Sequence, residues 1–455
     1  MANTKDMTHG NPTRLLIAFA LPLICGTLFQ QLYNMVDSII VGKFLGVDAL
    51  AAVGCCGSLN FLIIGFCNGT GSGMTIPIAQ RFGAQDVPNL RRYVANCIYL
   101  GAFMAVVITL VTALNCRRIL GWMNTPENII EDANRYFTVI LLGIPATVLY
   151  NVAASIMRAL GDSRRPLYFL IFSSVLNIVL DLLLIVVCKT GVMGAAIATV
   201  ISQLIAGILC VVYMVRSLPI LHVQGEQWKP STAHMKHLAG VGVPMGLQFS
   251  ITAVGSVILS SAVNSLGSIA VASMTAAGKI AMLFNMAHDS MGSAMATYSG
   301  QNLGAKKLDR IGQGMKSALV IMCSYAVLTI FVMVFFGRAL SLLFVDGSET
   351  DILSNVHFYL IVNSATSFLL AFVNIVRLTI QGLGFSNFAL FAGVFEMIAR
   401  TLVAFILVPA FGFRGACFAN AAAWLAADLF LVPGYFRVMR RLRKAEAMQE
   451  KAASV

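Results

Sequence analysis

From Ala49 to Gln80 no residue carries a charge, and few folds can accommodate so long an apolar run. About 20 such residues in a helix cross roughly 30 Å of hydrocarbon. Runs of this kind recur along all 455 residues. Spans fall at 14–41, 49–79, 90–114, 130–157, 166–187, 193–215, 237–264, 268–299, 312–336, 352–380, 387–409 and 414–437, which predicts an all-α membrane protein with twelve transmembrane helices. Composition agrees, with 58% hydrophobic residues, 11% charged residues and a mean hydropathy of +0.83. The ten-residue alternation of an outer-membrane barrel is missing.

The net charge of +12 does not point to nucleic acid, because the basic residues collect in alternate loops. One set of loops and tails holds Arg14, Arg81, Arg91, Arg92, Arg164, Arg165, Lys229, Lys236, Lys306, Lys307, Arg310 and a basic tail from Arg437 to Lys444. The other holds Lys43, Arg117, Arg118, Arg135, Lys189, Arg338 and Arg414. The positive-inside rule then places both termini in the cytoplasm of a multi-pass protein of the cell (inner) membrane. The first apolar stretch runs to Asp37 without a small-residue cleavage site, so it is expected to stay as the first helix. The ten cysteines form no CxxC pair and lie mostly within spans, as small packing residues.

Landmarks recur in order about 220 residues apart. Pro22 in ALPL returns as Pro244 in GVPM, and QRFGA (Gln80 to Ala84) as QNLGA (Gln301 to Ala305). ALGDS (Ala159 to Ser163) returns as GLGFS (Gly382 to Ser386), and GVMGAAIAT (Gly191 to Thr199) as GFRGACFAN (Gly412 to Asn420). The chain therefore reads as a duplication: an N-lobe over 1–215, a cytoplasmic linker over 216–236 and a C-lobe over 237–455. Six spans per half keep both copies in one orientation, so two pseudo-symmetric lobes are expected about an axis along the membrane normal. Gly83 and Gly304 are expected to cap the ends of the second and eighth helices.

An ionisable side chain at mid-bilayer costs about 2.5 to 3.5 kcal/mol on insertion scales, so each needs a partner or a task. Asp37 follows QQLYNMV and Asp181 lies in SSVLNIVLDLLLIVV. Tyr33 is one turn before Asp37, Asn177 one turn before Asp181, and Thr199 returns on the next helix. Asp37, Asn177, Asp181, Thr199 and Tyr33 form an oxygen-rich set that can take a proton or, through the first four, a sodium ion. Two carboxylates brought together should raise the proton affinity of one. In the second half Glu396, Arg400 and Asn420 align with Asn177, Asp181 and Thr199, and Ile258 or Leu259 with Asp37. Glu396 and Arg400 are predicted to form an internal ion pair. Arg377, His288, Asp289 and Asp428 are further candidates there. Met35, Met157, Met245, Met282 and Met286, with Phe249 and Phe284, would give soft walls for amphipathic substrates.

The PLICGTLFQQLYNMVDSIIVGKFLG opening, the QRFGA and QNLGA pair, RALGDSRRP, NIVLD and GVMGAAIAT together resemble the multidrug and toxic compound extrusion (MATE) transporters, over essentially the whole chain. The resemblance implies a V of two six-helix lobes that alternates its openings. Such transporters export cationic or amphipathic small molecules in exchange for protons or sodium. It also implies that Asp37, Asn177, Asp181 and Thr199 match the N-lobe cation site of the DinF-like branch. The acidic residue of the seventh helix that marks other branches has no counterpart in residues 250–263, and Ala287 and His288 stand where a proline is common. No cofactor is expected beyond the coupling ion, and the partners expected are substrate and membrane lipid, with the chain acting as a monomer.

A lipid or lipid-linked oligosaccharide flippase is the alternative. It would need several cationic cavity residues, for which only Lys279, Arg377 and Arg400 are available. An intramembrane aspartyl protease is disfavoured, since Asp181 follows IVL in what reads as an unbroken helix and lacks the GxGD element. A channel would show a ring-forming filter motif.

Overall fold

A computed structural model describes residues 6–123 and 125–453. Ten helices are long and apolar enough to cross a membrane, and two bent pairs bring the number of spans to twelve among the described residues. In chain order they are α1 (Pro12–Leu45), α2 (Val47–Gly83), α3 (Val87–Leu114), α4 (Ile130–Leu142 with Ile144–Ala159), α5 (Arg164–Val187) and α6 (Val192–Ser217). The second set is α7 (Thr232–Asn264), α8 (Ser268–Gly304), α9 (Leu308–Ser341), α10 (Thr350–Ala365 with Ser367–Gly382), α11 (Ser386–Phe411) and α12 (Phe413–Met448).

The duplication extends to its irregularities. The fourth span of each half is the bent one, by 44° in α4 and 48° in α10. In α4 the bend falls at Gly143, followed by Pro145, which lacks the N–H a straight helix needs. In α10 no glycine or proline marks it. There the hydroxyls of Ser364, Thr366 and Ser367 donate back to the carbonyls of Ile361, Val362 and Ser364 at 3.0, 2.9 and 2.7 Å, competing with the backbone ladder. The fifth span of each half turns π-helical in its second half, over Leu182–Val187 at the end of α5 and over Val403–Leu407 just before the last turn of α11. The helix that carries Asp181 is therefore not regular, since its hydrogen bonding shifts at the very next residue.

Turns repeat as well. Gly161 and Gly384 have φ of 84° and 89°, and Gly191 and Gly412 have 65° and 58°. The QRFGA and QNLGA ends differ from the expectation: Gly83 and Gly304 are the last helical residues, not left-handed caps. The left-handed turn falls on Gln85 (φ 56°) and Lys306 (φ 58°).

By packing the chain forms two units, Leu21–Gly246 on one side and Met7–Ala20 with the chain from Leu247 onward on the other. In the first unit the start of α7 lies against α2 with almost no space between backbones. A Cβ on Gly73 would meet Gly242 Cα at 2.7 Å, and one on Gly246 would meet Thr70 Oγ1 at 2.2 Å and Phe66 O at 2.8 Å. Gly242 and Gly246 form the small-xxx-small spacing that lets membrane helices touch. The connection between α6 and α7 is fastened to α3. Arg91 donates to the carbonyls of Ile220 and Pro219, both at 3.0 Å, Tyr99 Oη to that of Trp228 at 2.9 Å, and Asn96 Oδ1 accepts from Ser231 N at 2.9 Å.

In the second unit the start of the chain is held by the QNLGA element. Met7 N donates to Gln301 Oε1 at 2.9 Å, Asn302 Nδ2 to Met7 O at 3.2 Å and Arg310 Nη2 to Gly10 O at 3.0 Å.

Candidate functional site

In the first unit α1, α5 and α6 bring the expected residues together. Asp181 is fully buried at the last regular turn of α5, and Asn177, one turn earlier, is 1% exposed. Asn177 Nδ2 donates to Thr199 Oγ1 on α6 at 3.4 Å, so the return of Thr199 alongside α5 is seen. Half-buried Asp37 on α1 brings its carboxyl within hydrogen-bonding reach of that of Asp181. Tyr33 lies within electrostatic range of both carboxyls, beside the side chains of Gln30 and Gln203.

Four acceptor oxygens at this point have no donor: Asp37 Oδ1, Asn177 Oδ1 and both oxygens of Asp181. Buried oxygens left unsatisfied are costly, and a carboxylate more so, unless a proton or cation completes the set. Beside them is a small cavity of about 50 Å³ lined largely by polar side chains, among them Gln30, Tyr33, Asn68, Asn151, Asn177 and Gln203. It has room for one or two waters. Thr147 Oγ1 donates to Gln203 Oε1 at 2.5 Å and completes its polar wall.

Gln30, Asn68, Thr147, Asn151 and Gln203 were not singled out from sequence, nor was Tyr136, which lies within electrostatic range of both aspartates. The signal was present as uncharged amides and hydroxyls inside apolar spans, as in FCNGTG and ISQLIAG. Attention to ionisable residues alone passes over them.

The second unit has a different centre. Glu396 is 3% exposed and shared by two guanidinium groups, with Oε1 bonded to Arg377 Nη2 and Oε2 3.8 Å from Arg400 Nη1. The predicted Glu396–Arg400 pair is thus the looser half of a triad whose tighter contact comes from α10. Glu396 and Arg400 have the i, i+4 spacing of Asn177 and Asp181, but sit about one turn closer to the glycine preceding their helix. Around the triad Asn374 Nδ2 donates to Asp289 Oδ1 at 2.8 Å, Gln381 Nε2 to Gln248 Oε1 at 2.7 Å, and Asn420 Nδ2 to Tyr359 Oη at 3.1 Å. His288 packs edge-on against Tyr325 at 5.5 Å.

The methionine and phenylalanine wall is only partly available. Met157, Met245 and Met286 are buried at 0%, 4% and 5% exposure, and the thioether of Met245 fills the space that Gly73 leaves. Met35, Phe249 and Met282 are exposed, and Phe284 is half-buried with its carbonyl bonded by Tyr325 Oη at 3.1 Å.

Two like-built helical units, each enclosing polar side chains within membrane-length apolar helices, define a duplicated multi-pass membrane transporter. The chain belongs to the MatE family, which it matches twice, over residues 22–183 and 244–406. The two matches are the two halves of the repeat. It is 29% identical over 451 residues to the probable multidrug resistance protein YoeA of Bacillus subtilis (strain 168), covering 95% of each chain. It is similar to the crystal structure of MATE in complex with MaL6, at 26% identity and a TM-score of 0.89 over 96% of this chain and 99% of that one. An outward-facing conformation of a multidrug resistance MATE family transporter of the MOP superfamily gives 25% identity and a TM-score of 0.90 over 97% and 99%. The chain is a multidrug efflux transporter of the MATE family, and its activity is transport, not catalysis.

Proposed function

We propose that the protein is a secondary antiporter that exports cationic or amphipathic small molecules in exchange for protons, coupled through Asp37 and Asp181. The observation that carries this is the juxtaposition of two carboxyls beside a small polar cavity, with both oxygens of Asp181 lacking a donor. A proton shared between them supplies that donor, and its departure leaves two like charges in a poor dielectric. The unit must then rearrange, take up a proton again or bind a cationic substrate.

The same four oxygens, with Thr199, suit a hard cation such as sodium, so the residues present fit either ion. Among the described residues no group of three or more His, Cys, Asp or Glu side chains gathers, and the site offers two carboxylates only. That modest charge favours a monovalent ion. In this reading both termini are cytoplasmic, the membrane is the cell (inner) membrane and one chain suffices.

Proteoliposomes loaded with a fluorescent organic cation and given separately a proton or a sodium gradient test this. Flux driven by the proton gradient and lost in Asp37→Asn is expected. Flux driven by sodium alone reassigns the ion, and flux driven by neither ends the antiporter reading.

A further inference from the structure

The last helix carries a carboxyl with no assigned task. Asp428 on α12 is 8% exposed, and neither of its oxygens has a hydrogen-bond donor. Arg377 on α10 lies within electrostatic range of it, with its Nη2 taken by Glu396 and its Nε without an acceptor. One guanidinium is therefore within reach of the field of two carboxylates, Glu396 on α11 and Asp428 on α12, and bonds only the first.

We propose that Asp428 is a second proton-binding site, and that Arg377 answers its protonation by changing partners. With a proton on Asp428, that group is neutral and Arg377 belongs to Glu396. When the proton leaves, Asp428 becomes a buried anion that Arg377 can relieve, while Arg400 remains within 3.8 Å of Glu396. Arg400 makes the exchange feasible: without it, moving Arg377 would strand the charge of Glu396. Because Arg377, Glu396 and Asp428 sit on three different helices of one unit, the partner change alters the force between α10, α11 and α12.

Other charged groups nearby do not substitute for this pairing. Asp289 on α8 is within electrostatic range of Arg377 but is bonded by Asn374. On α10 His357 turns toward Gly337 of α9, and at the start of α12 Arg414 lies over the Phe358 ring at 5.6 Å. The first unit repeats none of this, since its pair consists of two carboxyls with no arginine between them.

The test is an infrared pH titration of the carboxylic-acid carbonyl band in the purified full chain, without substrate or gradient. Its failure would therefore leave the antiporter reading untouched. Wild type minus Asp428→Asn isolates the Asp428 band. That band is expected to disappear on raising pH, as the group loses its proton. Glu396→Gln, paired with its own Asp428→Asn double variant, frees Arg377 for Asp428 and should lower the midpoint by about one pH unit or more, tenfold in proton affinity. Arg377→Gln should raise it, and serves alone if Glu396→Gln does not fold. If Asp428→Asn removes no titrating band, there is no proton site. If neither triad variant moves the midpoint, or if only added anions bind at Arg377 in a way Asp428→Asn does not affect, the partner exchange is wrong.

Discussion

The two units share helices, bends, π-helical stretches and left-handed turns, yet enclose opposite electrostatics. The first holds two carboxyls with unsatisfied oxygens, and the second a glutamate clasped by two arginines. A carboxylate paired with cations of its own unit, as Glu396 is, serves as a structural device, and Asp428 beside it is the group left unpaired. A carboxyl that lacks donors is waiting for a ligand. The difference teaches that duplication copied the scaffold and left each polar centre free to take its own role.

The sharpest way to break the comparison is to neutralise each centre in turn. Asp181→Asn should abolish ion-driven export in proteoliposomes while leaving thermal stability in detergent unchanged or higher, because it deletes a charge that burial opposes. Glu396→Ala should do the reverse to stability. It leaves Arg400 buried without its carboxylate and Arg377 with Asp428 alone, at a cost of about 3 to 5 kcal/mol, read as a large drop in melting temperature. If Asp181→Asn is the more destabilising of the two, the division into a working centre and a structural one fails.

How much of this was legible in sequence depends on the range of the signal. Twelve spans, the repeat and the Asp37–Asp181 set could be read because they rest on hydropathy, fixed offsets and one-turn spacing. The membership of Arg377 in the Glu396 triad was not, since it joins α10 to α11 across 19 residues and no local pattern encodes it. Nor was the burial of Met157, which depends on how α4 packs in three dimensions. The polar wall of Gln30, Asn68 and Gln203 was visible residue by residue, but its convergence was not.

A smaller effect tests the close packing of the first unit. Gly246→Val would drive side-chain atoms into Thr70 and the Phe66 carbonyl, costing about 1 to 3 kcal/mol unless α7 moves away from α2. Melting temperature and transport rate should fall together. A variant with normal stability and normal flux would show that this contact opens without penalty.

The smallest effect concerns the turn before α3 and its copy before α9. In the first unit Asp86 caps α3: its Oδ1 accepts from Asn89 N at 3.3 Å and its Oδ2 from Asn89 Nδ2 at 2.8 Å, with Arg81 Nη1 at 3.4 Å. The copy has Lys307, which cannot accept, and whose ammonium instead donates to Thr8 O at 3.0 Å. Asp86→Ala should therefore cost about 1 kcal/mol, as lost N-caps do. Lys307→Ala should leave α9 unaffected and loosen only the start of the chain. The Asp86 cost should depend on pH. The Asn89 side chain, then the Asn89 N–H and Arg81, hold this carboxyl below its ordinary proton affinity against a partial burial that opposes them. A folded-state value below the unfolded one gives stability that is present above the unfolded value and lost as pH falls through the folded one. The gap between wild type and Asp86→Ala should thus be full at neutral pH and close below about pH 4, while the Lys307→Ala gap stays level over the same range.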